Sequence, residues 1–491
     1  MRSIMFDRKR YIRNKLKISM LIFLFALIRG CCNESQPNIN QNKQPSSSPV
    51  ASNDQLSMHK HPQSEICRIC FCQEEERDDV KDRNHFVYCQ HRHLNRIPAI
   101  NRLPPRTKFL NLAMNNITSI EKFETMEDLN HLILAINGLK QIEPFAFEQL
   151  PNLIALDLSF NELSKLPESV FETLSELQYL NLSNNHLEYL PLEMFKKNGY
   201  LFELNLQHNR ISYINSMTFS PLKQLEILNL AHNSLYSLQT DLFIQLDKLK
   251  RLILSQNEFQ GTPINALRQI KRLEFLDLSS NPIRVLNEAS FYNLYTLREL
   301  RMNKMPLLIR IETRTFSSLN NLTILDLNDN SRLAIIDTNA FYGLFHLDSI
   351  KLQRISLRRN QIRKISEHTL PFCNLTYLDL RENPWQCDCH VHWIKYCHGS
   401  KNFEQDIVCN SPDRLIGHEL MAIPFSELVC ETIPDRFQSN NYLFIFSIFF
   451  MTGLLISVLM LIFRNQITSF YGNKTRKEGS IYYVRAQSNL E

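Results

Sequence analysis

Leu153-Ile-Ala-Leu156-Asp-Leu158-Ser-Phe-Asn161-Glu-Leu163 is the stretch of this chain from which its architecture follows. Leucines stand at its first, fourth, sixth and eleventh positions, and an asparagine stands at the ninth. The same pattern returns as Leu177, Leu180, Leu182, Asn185 and Leu187, and again as Leu201, Leu204, Leu206, Asn209 and Ile211. Units begin at 129, 153, 177, 201, 225, 249, 273 and 297, seven successive intervals of 24 residues. Less regular units begin near 107, 322, 352 and 375, making about twelve. Random clustering of leucine would not hold such a register.

Each unit has a physical reading. Alternating Leu-x-Leu makes a short strand with its leucines turned inward, and strands from successive units stack in parallel. The asparagine (Asn115, Asn137, Asn161, Asn185, Asn209, Asn233, Asn257, Asn281, Asn330, Asn360 and Asn383) turns the chain off the strand. Its side-chain amide can pair with backbone groups that a buried turn would otherwise leave unsatisfied. A second core position recurs as Phe147, Phe171, Phe195, Phe219, Phe243, Phe291, Phe316 and Phe341, which predicts an aromatic spine on the far side. A self-similar period of this length is the signature of leucine-rich repeats. The expected fold class is therefore α/β, a leucine-rich-repeat solenoid curved into a horseshoe with a parallel sheet on its concave face.

Cysteine-rich stretches flank the repeats. One reads Cys67-Arg-Ile-Cys70-Phe-Cys72 and then Cys89; the other reads Asn383-Pro-Trp385-Gln-Cys387-Asp-Cys389 and then Cys409 and Cys430. These resemble the N- and C-terminal caps of extracellular leucine-rich-repeat proteins, and the resemblance covers residues 67–430. It implies disulfides Cys67–Cys72, Cys70–Cys89, Cys387–Cys409 and Cys389–Cys430, leaving Cys373 and Cys397 over. A competing reading makes Cys67, Cys70, Cys72 and Cys89, with His91 and His93, the start of a zinc-binding RING. A RING needs eight ligands in a cross-braced pattern, and the later ones are missing. No cofactor is expected.

The charge is unevenly placed. The chain is +5 overall, but residues 1–32 hold eight basic groups and one acidic, and the tail from Arg464 holds five and two. The segment between carries 42 basic and 47 acidic residues, which removes the electrostatic case for nucleic acid. Ile18–Ile28 is an uncharged run of eleven residues, too short for a bilayer of ~30 Å but suited to a signal peptide. Tyr442–Phe463 is uncharged over 22 residues, and basic residues follow it, as the positive-inside rule requires of a membrane span. The expected order is signal peptide 1–32, disordered linker 33–65, N-terminal cap 66–106, repeats 107–382 and C-terminal cap 383–431. A linker 432–441, a transmembrane helix 442–463 and a cytoplasmic tail 464–491 complete it. That tail is too short for a folded signalling domain, though it carries Tyr471, Tyr482 and Tyr483.

No hydrolase, Walker-loop, metalloprotease or dinucleotide motif appears, so no catalytic residue is nominated. His208 and His232 occupy equivalent positions in adjacent units and are read as a solvated pair rather than a metal site. Outward strand positions fall two, four and six residues after each unit start. They are mostly neutral early (Ala155, Asp157, Ser159, Tyr179, Asn181, Ser183), but late units place Arg301, Arg354, Arg358 and Arg381 there, with Lys304 and Arg359 one place on. Residues 297–382 hold thirteen basic and nine acidic groups. Periodicity also breaks here: Met305 replaces the asparagine, and thirty residues separate 322 from 352, leaving the register around Leu347–Leu352 open by one strand. These six cations are the candidate ligand contacts, for an acidic protein surface or a sulfated glycan.

N-glycosylation sequons fall at Asn33, Asn116, Asn181, Asn321 and Asn374, and a sixth, Asn473, lies beyond the apolar run. The functional expectation is a type I single-pass plasma-membrane protein without enzymatic activity, an adhesion or recognition receptor or co-receptor for extracellular or cell-surface proteins. The alternative is a non-signalling subunit of an innate-immune or growth-factor receptor complex.

Overall fold

The computed structural model describes residues 64–74, 84–346, 349–369, 375–396, 406–430 and 436–472. The expected signal peptide at 1–32, nearly all of the expected linker at 33–65, Cys373, Cys397, Asn33, Asn374, Asn473, Tyr482 and Tyr483 lie outside the described residues.

The leucine pattern builds one sheet of fourteen strands. It opens with β1 (Phe71–Glu74) and β2 (His85–Tyr88), an antiparallel pair in the N-terminal cap. β2 runs parallel to β3 (Thr107–Asn111), the first repeat strand. Eleven three-residue strands follow, from His131–Ile133 to Tyr377–Asp379, all parallel. Pairing is in strict register, so that Leu156 faces Leu180, Leu180 faces Leu204 and Leu204 faces Leu228. Each central leucine is buried while its two strand neighbours point outward. The thirty-residue unit keeps this register, with Ile324–Asp326 pairing directly with Arg354–Ser356. Its extra residues form a small antiparallel pair, Phe345–His346 with Ser349–Ile350. Gly343, at φ +93°, leads into that pair; a Cβ there would come within 2.8 Å of the Ser317 carbonyl oxygen. The open register is thereby settled in favour of a strand beginning at Arg354.

Asparagine does the work its position implied. The Asn209 amide donates to Leu182 O and Leu206 O, both at 3.0 Å, and its Oδ1 accepts from Leu187 N at 3.0 Å. Asn185 and Asn233 repeat the arrangement one turn either side. The residue before each ladder position takes left-handed backbone in every turn, from Met114 (φ 56°) and Ile136 (φ 56°) to Arg359 (φ 56°) and Glu382 (φ 57°). None of these twelve is glycine, and a β-branched side chain such as Ile136 is disfavoured there. In eleven of the twelve an asparagine follows, and its hydrogen bonds hold the turn in place; after Lys304 the next residue is Met305.

The phenylalanine spine forms with all its members buried. Phe147, Phe171 and Phe195 stack at 6.3 Å spacing, and Phe291, Phe316 and Phe341 at 5.7 and 5.3 Å. Leu267, in the short helix Ile264–Leu267, takes the ring's place between them. Among the described residues, the disulfides Cys67–Cys72 and Cys70–Cys89 close one end and Cys387–Cys409 and Cys389–Cys430 the other. Trp385 and Trp393 plug the C-terminal end, their indole N–H groups donating to Leu380 O and Ile365 O at 2.9 Å. A 37-residue helix, Arg436–Gly472, ends the described chain, and its stretch Phe446–Arg464 is long and apolar enough to cross a membrane.

Replacing Asn209 with alanine orphans the buried Leu187 N–H, at a cost of ~1–3 kcal/mol, and takes one of two donors from Leu182 O and Leu206 O, which keep the amides of Asn185 and Asn233. The expected loss is about 3 kcal/mol in chemical denaturation, with faster hydrogen exchange at Leu187 than at Ile120. Unchanged exchange at Leu187 would show that the amide is dispensable.

Candidate functional site on the concave sheet

Because side chains alternate along a strand, the concave face is built from two outward residues per turn. Three zones follow from the sequence of those slots. At the N-terminal end the cap and first repeat bring aromatic rings together: Phe71 with Tyr88 at 5.8 Å, Tyr88 with Phe109 at 5.1 Å and Phe109 with His131 at 6.2 Å. Burial pushes Tyr88 above and His131 below their ordinary pKa values. Phe71 is 61% exposed. This cluster was not anticipated from the sequence. Its signal was present in the aromatic residues at outward slots such as Phe109, but the cap strands carrying Phe71 and Tyr88 lie outside the repeat.

The middle zone holds Tyr179, Asn181, Glu203, Asn205, Ile227 and Asn229. Ser159 and Ser183, expected to be outward, are covered, at 4% and 5% exposure. At the sixth position the chain is already bending toward the asparagine, and Asp157 and Asn181 each accept a hydrogen bond from the serine's N–H. Asn181 stands in its strand on the concave face.

The late zone contains the six expected cations, and the structure gives most of them acidic neighbours. Arg301 meets Glu299 at 2.6 Å and Asp326 at 3.7 Å. Arg358 and Arg359 both grip Glu382, and Arg359 also reaches Asp329 at 3.0 Å. Arg381 pairs with Asp379 at 2.7 Å. Arg354 lies over the Tyr377 ring at 4.7 Å, and Lys304 is exposed at the rim. Hydrogen bonds from Arg358 and Arg359 hold Glu382 below the usual carboxylate range. Burial raises Asp326, against the pull of Arg301. The basic excess counted along the sequence is therefore a mixed-charge network in space. Arg354, Arg358, Arg359 and Glu382 nevertheless lie within two neighbouring turns.

Among the sequons, Asn116 is exposed. Asn321 donates to Tyr295 O at 2.6 Å and accepts from Lys351 Nζ at 2.6 Å. Cys67, Cys70, Cys72 and Cys89 are all spent in disulfides, which leaves the competing zinc reading without thiolate ligands. Asp388, Cys389, His390 and Cys430 cluster closely, but both sulfurs there are bonded to each other.

His208 and His232 stack at the rim with ring centroids 3.6 Å apart, beside His186, Arg210, Asn184 and Gln256. Burial pushes both imidazoles below the ordinary value, and the charge of His208 lowers His232 further. A histidine depressed in the folded state leaves the unfolded chain binding more protons as pH falls below ~6.5. Stability is thus complete above that value and declines beneath it. Wild type should lose more of its urea midpoint between pH 7.5 and 5.5 than a His208→Asn/His232→Asn variant. Equal losses would mean the pair is not coupled to folding.

A profile described as "Leucine rich repeat" matches residues 127–187, 184–235 and 223–283, and one described as "BspA type Leucine rich repeat region (6 copies)" matches 263–387. Trophoblast glycoprotein of Macaca fascicularis is 26% identical over 185 residues, 36% of this chain and 42% of that protein. The BDNF/NT-3 growth factors receptor of Gallus gallus is 33% identical over 100 residues, 20% of this chain and 11% of that protein. The chain thus spans less than half the length of these curated relatives. Among solved structures, the complex of Toll with Spatzle from Drosophila superposes with a TM-score of 0.54 at 21% identity, over 70% of this chain and 54% of that one. The complex of TLR13 with ssRNA13 gives 0.50 at 25%, over 67% and 54%.

Proposed function

We propose that this chain, which belongs to the leucine-rich-repeat family, is a single-pass plasma-membrane receptor or co-receptor for extracellular or cell-surface proteins. The observation that carries the reading is the concave sheet itself. It presents outward aromatic, amide and charged side chains along fourteen strands, while disulfide caps close both ends of the core. Exposed aromatic rings interspersed with amides and charges are the composition of a surface that suits a protein partner. The apolar stretch Phe446–Arg464, 19 residues long, supplies the anchor at ~1.5 Å of rise per residue. The relatives support the same kind of role, since one is a growth factors receptor and Toll is held in complex with a protein, Spatzle.

Ligand contact is assigned to Arg301, Lys304, Arg354, Arg358, Arg359 and Arg381, with an acidic protein surface or a sulfated glycan as the complement. Arginine suits both, because its planar fork meets carboxylate or sulfate with two hydrogen bonds. Association should weaken as salt rises.

Two measurements test this. With the full chain displayed on cells, a glycosidase should shift the protein on a gel through Asn116 or Asn321, with no glycan at Asn473. A glycan mapped to Asn473 would reverse the orientation. Screening the same cells against secreted and surface proteins should yield a ligand, and changing Arg354, Arg358 and Arg359 together to glutamate should weaken it at least tenfold. Arg354→Ala, which leaves the Glu382 network in place, should weaken it by a smaller factor. Full binding by the triple variant would exclude the late repeats.

A further inference from the structure

Carboxylates in the outward slots of the repeat strands have partners, with one exception. Asp157 and Asp277 accept from backbone N–H groups, at 2.9 Å each. Glu299 and Asp326 meet Arg301, and Asp379 meets Arg381. Glu203 sits at the centre of the middle zone, in the strand Glu203–Asn205, and among the described residues its carboxylate accepts no hydrogen bond and has no ion pair.

Its surroundings make that position demanding. Tyr179 on one side and Ile227 on the other are its in-register strand neighbours, so the carboxylate is flanked by apolar groups and only partly exposed. Burial raises its pKa, which the more distant Arg251 offsets only in part. Arg251 is engaged elsewhere, its guanidinium lying 3.8 Å above the Phe275 ring. Tyr179 and Phe202 pack together beside the carboxylate, ring centroids 5.8 Å apart. The next outward row, Asn181, Asn205 and Asn229, is polar and uncharged.

We infer that Glu203, with Tyr179 and Phe202, forms a subsite on the concave face that takes one arginine side chain of a protein partner. The inference rests on the receptor reading above and adds to it the charge of one ligand residue and its place along the solenoid. The chemistry is complementary throughout. A guanidinium forks onto a carboxylate through two N–H groups, and its flat face lies against an aromatic ring. The same sheet already shows the second half of that geometry within itself, where Arg251 covers Phe275 and Arg354 covers Tyr377. The outward slots from Ala155 to Asn229 carry Asp157 and Glu203 and no basic residue, and Arg251 in the next strand is held over Phe275.

The test uses the full chain in lipid nanodiscs at pH 7 and two probes, the peptide acetyl-Gly-Arg-Gly-amide and its citrulline counterpart, which has the same shape without the charge. Saturation-transfer NMR reads contact at the arginine methylene protons. Wild type should saturate the arginine peptide and not the citrulline one. Glu203→Gln should reduce the signal at least fivefold, and Tyr179→Ala several-fold. Ile227→Arg, which places a cation of the chain's own beside Glu203, should also remove it. An equal signal from Glu203→Gln or from the citrulline peptide, or none from wild type, would overturn the subsite. Failure to find a protein ligand on cells would instead tell against the wider receptor reading, and this measurement would be unaffected by it.

Discussion

One side-chain amide per turn holds this molecule in shape. Where the chain leaves each strand it must bend sharply inside a core that excludes water, and the bend strands two carbonyls and an N–H. Asparagine answers all three, as at Asn209, and bridges to the preceding turn in doing so. The consequences spread outward. The bond to the neighbouring turn fixes the spacing between turns, which fixes strand register, which decides that Leu204 and its equivalents face inward and Glu203 and its equivalents outward. It also lets the preceding residue be almost anything. Met, Ile, Phe, His, Asp and Arg all occupy the left-handed position before an asparagine, because the turn is held by the asparagine and not by its own backbone preference.

Much of this was legible in the sequence, because the repeat samples the same physical problem a dozen times. Leucine spacing gave strand, register and face together. Phe147 and its equivalents marked the far wall of the core, and the two cysteine-rich flanks marked its ends. The reading weakened wherever a feature occurs once. The pairing of Phe345–His346 with Ser349–Ile350 uses residues outside the repeat, and no period announces it. The aromatic cluster at Phe71, Tyr88 and Phe109 depends on the cap hairpin docking beside the first repeat strand. Ser159 and Ser183 follow the alternation of the strand, but the strand is already ending when the chain reaches them.

Charge was the least legible property. Counting along 297–382 suggested a basic patch, whereas space interleaves Arg301 with Glu299 and Asp326, and Arg358 and Arg359 with Glu382. A solenoid places residues about 24 apart side by side, so neighbours in sequence say little about neighbours in field. The converse holds for Glu203, unremarkable in a list of residues. Only the identities of Tyr179 and Ile227, one turn before and one turn after, show that its carboxylate sits between apolar walls.

Met305 occupies the ladder position of its turn, and its thioether has no amide to offer the turn before. In a stack where each unit touches only its neighbours, stability is a chain of joints in series. The spine changes ring for leucine at Leu267, two turns earlier, so two consecutive core devices lapse within one short interval. Strain applied along the stack passes through every joint in turn. The joint at Met305 has no side-chain amide of its own, and its backbone N–H is held from the other side by Asn330 Oδ1 at 2.7 Å. Beyond it lie the arginine-bearing repeats and the second cap, and before it an unbroken run of turns, from Asn115 to Asn281, each tied by an asparagine to the turn before.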